Sequence, residues 1–461
     1  MCAKLKSKSI LHLIILIFIS FQIYTGYYNN KEPSIPNISL SNQGWLNDNQ
    51  HEIFWFFIVS DTQFIWYNNE KIEQFNRFLS ESYKTIKPNF IYHTGDIVDA
   101  DNGNQQHVEE WQRYNQLLFD NNMNASVYMD VMGNHDSVAD PDNSYFLNYS
   151  MMGSTQGVLQ YSFKRTFPFG DYAFIGVNTA KDEYSGVFDF GFLGYLDTQE
   201  LNWYESELKK YVNCKGIFTF GHHPISYPPF NYLLSNSSSS GKDFFQLNEL
   251  YNVKCYFAGH AHTNYQQEQN QTFSIITTNF DEGGGTYRII AIDNNQISSS
   301  IEHVGNWPQG LITTPPRYNY PPASNVNSYQ NIRILAWDPN DIFSVQWALF
   351  NSTDDSQLTN WKNMEKSNTN NQLWEDKFNF YLPGEYKLKT LIEGGSGTTM
   401  KEIIINIPLE PINQLSDITF LILIITIAFI SISFSVFYSW QKRNFKKIRN
   451  SQKNKNHILS Y

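Results

Sequence analysis

Five short polar blocks, each directly after an apolar run, recur in one order along this 461-residue chain. Ile53–Ser60 leads into Asp61-Thr62-Gln63, and Phe90–Thr94 into Gly95-Asp96-Ile97-Val98-Asp99. Val127–Met132 leads into Gly133-Asn134-His135-Asp136, Ile217–Phe220 into Gly221-His222-His223-Pro224, and Val253–Ala258 into Gly259-His260-Ala261-His262. Apolar runs of this length read as strands covered on both faces. Carboxylates, an amide and imidazoles therefore sit where strands stop and loops begin, the edge at which α/β sheets place their sites.

Between and after these strands the pattern is mixed. Thr198–Val212 reads as a helix, with Asp197 as N-cap, Glu200 three residues on, and Leu201, Tyr204, Leu208 and Val212 along one face. Glu70–Ile86 and Gln105–Phe119 give two more helical stretches, and Tyr172–Thr179, Phe273–Thr278, Tyr287–Asp293 and Gln296–His303 give further strands. This sets an α/β domain at 50–304. Pro308, Pro315, Pro316, Pro321 and Pro322 then mark 305–324 as a stiff linker. Ile332–Trp337, Ile342–Leu349, Lys377–Leu382, Tyr386–Ile392 and Lys401–Ile407 are short strands with no helical period between them. They predict an immunoglobulin-like β-sandwich over 325–408.

Both ends carry membrane signatures. Lys4, Lys6 and Lys8 precede an apolar stretch from Ile10 to Tyr24, so 1–26 reads as a signal peptide or signal anchor. Ile418–Trp440 holds 23 residues without a charge, enough to cross a hydrocarbon layer of ~30 Å, and a basic tail (441–461) follows. The positive-inside rule puts that tail in the cytosol and the α/β domain on the lumenal or extracellular side. Of the 33 Lys and Arg, three lie in residues 1–8 and seven in 442–455, and neither segment has an acid. The region between carries 23 basic against 44 acidic residues, a net of −21. So acidic a surface repels a nucleic-acid backbone and argues against nuclease activity. Sequons at Asn37, Asn124, Asn148, Asn236, Asn270 and Asn351 are compatible with secretion. Cys214 and Cys255 are free to pair or to remain thiols.

The five blocks resemble the calcineurin-like metallophosphoesterase superfamily, whose pattern is D-x-H, G-D-x-x-D, G-N-H-D/E, G-H-x-P and G-H-x-H. The resemblance implies a two-sheet αββα sandwich and phosphate-ester hydrolysis at two divalent ions with a bridging hydroxide. Asp61 and His262, joined by position 63, would bind the first ion, and Asp96 would bridge both. Asn134, His222 and His260 would complete the second. His135 would be the proton donor or phosphoryl-oxygen stabiliser, oriented by Asp136. An imidazole suits that task, because its charge changes near neutral pH. Position 63 departs from the pattern: Gln63 stands where histidine is commoner. An amide oxygen favours Mn or Mg over Zn, so the ion (Mn, Fe, Zn or Mg) stays open.

Asp99 is expected to hold its loop by hydrogen bonds, and His93, His107 and His223 carry no role in the pattern. Tyr227-Pro228-Pro229-Phe230 either walls the pocket or packs its own loop. The layout of leader, phosphoesterase domain, β-domain and C-terminal membrane passage is similar to that of the transmembrane protein 62 group. The expected activity is thus a membrane-anchored phosphoester hydrolase. The alternative is a catalytically silent binding or scaffold protein that keeps the fold.

Overall fold

The computed structural model describes residues 52–180, 192–269, 272–280, 284–320, 331–378 and 383–407. The leader at 1–26, the apolar stretch 418–440 and the basic tail lie outside the described residues, as do Asn37 and Asn270. Nearly everything described belongs to one compact unit (Met1–Phe380 with Glu385–Asn406). The second unit, Tyr381–Gly384 with Ile407–Tyr461, contributes only end residues of the last two strands described.

Strand β1 (Ile53–Val59) has all seven residues buried, as a strand covered on both faces must. It pairs in parallel with β2 (Ile91–His93), which pairs in parallel with β3 (Tyr128–Asp130). A second sheet contains β4 (Tyr161–Phe167), β5 (Gly170–Gly176), β7 (Gly216–Phe220), β9 (Val253–Ala258), β10 (Tyr265–Gln269) and β11 (Thr272–Ile276). Its order is β10-β11-β9-β7-β5-β4, with β5, β7, β9 and β11 parallel. On the far side of β1, β12 (Thr286–Asp293) and β13 (Gln296–His303) extend the first sheet to the order β13-β12-β1-β2-β3. A two-stranded ribbon of β6 (Gly194–Leu196) and β8 (Leu233–Ser235) stands apart from both sheets.

The two sheets face each other through aromatic rings. Phe56 lies edge-on to Phe174, Phe218, Phe220 and Phe257, and Tyr92 stacks on Phe220 at 3.7 Å between centroids. Helix α1 (Asn69–Arg77) and helix α2 (Val108–Asp120) bring Phe75, Trp111 and Tyr114 against the first sheet. Helix α3 (Thr198–Lys210) and helix α4 (Phe244–Leu250) bury Leu201, Tyr204, Leu208, Phe244 and Leu247 against the second. The layers run helix, sheet, sheet, helix. The Asp197 and Glu200 capping box forms as expected, with reciprocal bonds of 2.8 and 2.9 Å. Val212 lies beyond the helix end and is exposed, contrary to its expected place on the buried face.

The stretch expected to be a linker holds a strand. Gln309–Thr314 (β14) is buried throughout and pairs antiparallel with β15 (Asn331–Trp337). Pro308 and Pro315 flank the strand and lack the N–H that would continue its ladder, so they bound an element rather than a spacer. Two four-stranded antiparallel sheets follow. One has the order β14-β15-β19-β18, using β18 (Glu365–Lys366) and β19 (Leu373–Lys377). The other is β17-β16-β20-β21, from β16 (Ile342–Asn351), β17 (Lys362–Asn363), β20 (Gly384–Gly394) and β21 (Gly397–Ile407). Trp347 Nε1 donates to Asp376 Oδ2 at 2.7 Å between them. Of the expected strand Lys377–Leu382, Lys377 ends β19 and residues 379–382 lie outside the described residues.

This β region joins the core of the first domain. Leu311, Leu335, Trp337 and Leu373 belong to the same buried cluster as β1, and Trp337 meets Trp55 at 5.7 Å. At the joint, buried Asp293 accepts from Thr313 Oγ1 (2.6 Å) and Thr314 Oγ1 (3.1 Å) and pairs with Arg333. Cys214 and Cys255 are both free thiols. Among the described residues no helix is long and apolar enough to cross a membrane.

Candidate metal centre

All five blocks emerge at the same edge, beyond the ends of β1, β2, β3, β7 and β9. The loops are tightly turned. Asp61, Gln63, Asp96, His260 and His262 all have φ between 44° and 65°, a region non-glycine residues enter at a cost of about 1–3 kcal/mol. Long-range main-chain bonds hold them there. Asp61 N donates to Gly95 O at 2.9 Å, and Gln63 N to Asp96 O at 3.0 Å. At Gly133 a Cβ would stand 2.1 Å from Asp96 N and 2.2 Å from its Oδ1, so only glycine lets the second and third loops meet.

The side chains converge from these loops. Asn134 Oδ1 lies 2.9 Å from both His222 Nε2 and His260 Nδ1. Asp96 Oδ1 is 3.3 Å from His222 Nε2, and Asp61 Oδ1 is 3.3 Å from His262 Nε2. One ligand atom each from Asp61, Asp96 and His222 falls within 4.8 Å of the others, as does a second group of His222, His223 and His260. Asp61 is fixed by Ser60 Oγ and by the main-chain N–H of His260 at 3.1 Å. Gln63 is positioned by its main chain, its carbonyl accepting from Lys71 Nζ at 3.1 Å.

This donor set fits a divalent cation. Around an ion with bonds of about 2.0–2.2 Å in octahedral geometry, neighbouring donors stand about 3 Å apart. The separations above match that edge length. His222 Nδ1 faces the Thr94 carbonyl at 2.8 Å, which fixes its hydrogen and turns Nε2 toward two acceptor oxygens. A positive charge resolves that contact. Burial opposes charge on His222, but Asp96, Asp61 and the Thr94 carbonyl outweigh it and raise the ring to about 9. Burial likewise opposes ionised Asp96, yet His222 and His135 hold its carboxyl far below the ordinary range. His260 is pushed well below its ordinary value by burial and by the neighbouring His223 and His222.

His135 is part-buried beside the set, with Nε2 3.9 Å from Asp96 Oδ2, and its main-chain N–H donates to Asp96 Oδ1 at 2.9 Å. The expectation that Asp136 orients it is corrected. His135 Nδ1 is held by the main-chain carbonyl of Asp99 at 2.6 Å. The Asp136 carboxylate instead accepts from the N–H groups of Ile97 (2.9 Å), Val98 (3.1 Å) and Gly133 (2.8 Å). It therefore clamps the second loop to the third. Burial and the charge of Asp96 push Asp136 up to about 7, against those three bonds. The Asp99 side chain caps its own loop at Asn102 N, 2.7 Å away.

Of the residues given no role, His93 and His107 lie outside the ligand set, whereas His223 joins His222 and His260. His93 accepts from Gly95 N at 3.2 Å and lies 3.0 Å from Thr62 Oγ1, and burial drives it down to about 3. His107 pairs with Asp101 on the surface at 2.8 Å. Sequence reasoning missed Thr179, whose Oγ1 accepts from the N–H groups of His222 (3.3 Å) and His223 (3.1 Å). It missed Asn279 too, whose Nδ2 is 3.5 Å from His262 Nδ1. Thr179 closes the expected strand Tyr172–Thr179 but lies three residues beyond the end of β5, and no motif distinguishes it.

Carboxylates, an amide and imidazoles at one sheet edge form a mixed oxygen and nitrogen donor set able to hold a metal on an α/β scaffold. Residues 54–264, just under half of the chain, match the calcineurin-like phosphoesterase family. The chain is 26% identical over 316 residues to transmembrane protein 62 of Mus musculus, covering 64% of this chain and 47% of that protein. An Arabidopsis thaliana protein provisionally named a metallophosphoesterase is 24% identical over 234 residues, covering 46% of this chain and 30% of its own. The chain thus spans less than half the length of these curated relatives. A solved structure described as GAP50, the anchor in the inner membrane complex of Plasmodium, aligns with 55% of this chain and 85% of its own. That alignment has 14% identity and a TM-score of 0.38.

Proposed function

We propose that this chain is a membrane-anchored, metal-dependent hydrolase of phosphate esters that works with two divalent ions. One observation carries the reading: Asp96 stands within 3.3 Å of His222, which shares Asn134 Oδ1 with His260, while Asp61 and His262 form a second pair at 3.3 Å. Asp61, His262 and Gln63 would hold one ion, Asn134, His222 and His260 the other, with Asp96 between them. When bound, such ions polarise phosphoryl oxygens and acidify water. His135, anchored through Nδ1 on the Asp99 carbonyl, keeps Nε2 as its working end and hands a proton to the departing oxygen. Thr94 and Thr179 hold the fourth loop, so the imidazoles meet substrate without reorganising.

The finer placement belongs to the same proposal. The stretch 418–440 crosses the membrane, the phosphoesterase domain is lumenal or extracellular, and the two C-terminal sheets form an immunoglobulin-like module. The likeness to transmembrane protein 62 and the basic clusters at both ends support it. Gln63, in place of the commoner histidine, favours the second reading of a silent binding protein. Metal analysis of the purified chain, with turnover of p-nitrophenyl phosphate and bis-p-nitrophenyl phosphate, separates the two. Two ions per chain with turnover supported by Mn, Fe, Zn or Mg fits the enzyme. Bound metal with no turnover in any of the four fits the silent reading.

A further inference from the structure

Beside the ligand set stands a group of rings that the phosphoester reading does not use. Tyr232 lies edge-on to the His260 imidazole at 5.2 Å, and Phe192 meets the same ring at 5.9 Å. Phe192 contacts Tyr232 at 5.1 Å and Phe230 at 5.8 Å, and Phe230 contacts Tyr232 at 6.0 Å. Three aromatic side chains thus form one continuous wall that starts at a candidate metal ligand. Its outer members are open to solvent, Phe230 by 51% and Phe192 by 36%. Single exposed apolar residues are ordinary, but a contiguous patch at a site rim marks a binding surface.

The wall is also rigidly built. Phe230 sits on a tight turn in which Tyr227 N donates to Phe230 O at 3.0 Å and Phe230 N returns to Tyr227 O at 2.9 Å. Strands β6 and β8 knit the segment after Phe192 to the segment after Tyr232, with Gly194 N on Tyr232 O at 2.8 Å. The ribbon is pressed onto the fourth block: a Cβ at Gly194 would stand 2.5 Å from His223 Cγ. Tyr195 N adds a bond to the Thr179 carbonyl at 3.1 Å. Thr179 is the residue that also holds the main chain of His222 and His223. The rings are therefore preorganised on the same framework as the imidazoles.

We propose that Phe192, Phe230 and Tyr232 are the specificity subsite, and that it takes a planar aromatic group, aryl or nucleobase, esterified to the phosphate. The proposal rests on the phosphoester reading for the anionic half of the ligand. The wall begins at His260, so the substituent of a phosphoryl group held by the ligand set is the group that reaches it. Flat rings stack on exposed aromatic faces, whereas a short polar alcohol gains nothing there.

The test measures binding rather than turnover. Phenylphosphonate and methylphosphonate are titrated calorimetrically into the full chain loaded with Mn²⁺, and adenosine 5′-monophosphate against ribose 5-phosphate distinguishes a nucleobase from a simple aryl group. Phenylphosphonate should bind roughly ten-fold tighter than methylphosphonate. F230A and F192A should each erase most of that preference while methylphosphonate affinity holds, and F230W should restore it. Equal binding of the two phosphonates by the parent chain, or a preference that survives both alanine variants, overturns the subsite alone. Binding of neither phosphonate overturns the phosphoester reading and the subsite with it.

Discussion

At the scale of single residues, the third block divides its labour differently from what the motif implies. His135 faces Asp96, while Asp136 is turned away into a cradle of three main-chain N–H groups. Two substitutions should therefore fail in different ways. His135→Ala should retain metal and lower kcat by roughly 10²–10⁴. Asp136→Asn replaces a charge-assisted acceptor with an amide, so it should loosen the loops, weaken metal affinity and lower Tm. Equilibrium dialysis with steady-state kinetics tells them apart. Metal loss in the histidine variant, with full metal affinity in the asparagine one, would reverse the assignment.

At the scale of elements, the loops meet where side chains would not fit. Gly133→Ala would drive a Cβ to within 2.1 Å of the Asp96 main-chain N and 2.2 Å of its Oδ1. The variant should fold with reduced Tm and bind less than one ion per chain, as read by metal analysis. Helix α2 offers a test by pH. Glu110 is buried on its inner side, and burial raises its carboxyl from 4.5 to about 7, with His107 lowering it and Asp99 and Asp101 raising it. The folded state then holds a proton that the unfolded chain has lost, so this group's contribution to stability falls as pH rises from about 4.5 to 7. Glu110→Gln should gain roughly 1–2 kcal/mol over the parent at pH 8 and nothing at pH 4. Urea unfolding at both pH values checks it, and a gain independent of pH refutes it.

At the scale of the molecule, the phosphoesterase sheets and the first β-sheet beyond them share one core. Trp55 meets Trp337, and Asp293 gathers Thr313, Thr314 and Arg333 at the joint. Asp293→Ala removes the nearer of the two carboxylates at the buried Arg333 guanidinium and leaves Glu375 at 4.0 Å, so the loss should fall below the about 3–5 kcal/mol seen where a buried pair is broken outright. The parent chain should unfold in one transition through residues 52–378, and the variant should shift that transition to lower urea. Two well-separated transitions in the parent would show that the sheets are independent.

The sequence by itself determined where the chemistry stands. Apolar runs covered on both faces must become interior strands, and each polar block had to follow at a strand end. The Asp197 and Glu200 cap was equally readable, because its partners are three residues apart. Only the tertiary structure decided which group holds which. The bonds from His135 Nδ1 to the Asp99 carbonyl, from Ile97 N to Asp136, and from His222 N to Thr179 join residues some forty positions apart on different loops. Strand β14 was hidden because its flanking prolines announce a break while its pairing partner lies beyond them. No local pattern distinguishes Phe192 or Tyr232, and only the ribbon sets them against His260. Strand and cap signals arise from neighbours in the chain, whereas these contacts depend on how separately folded loops settle against one another at the sheet edge.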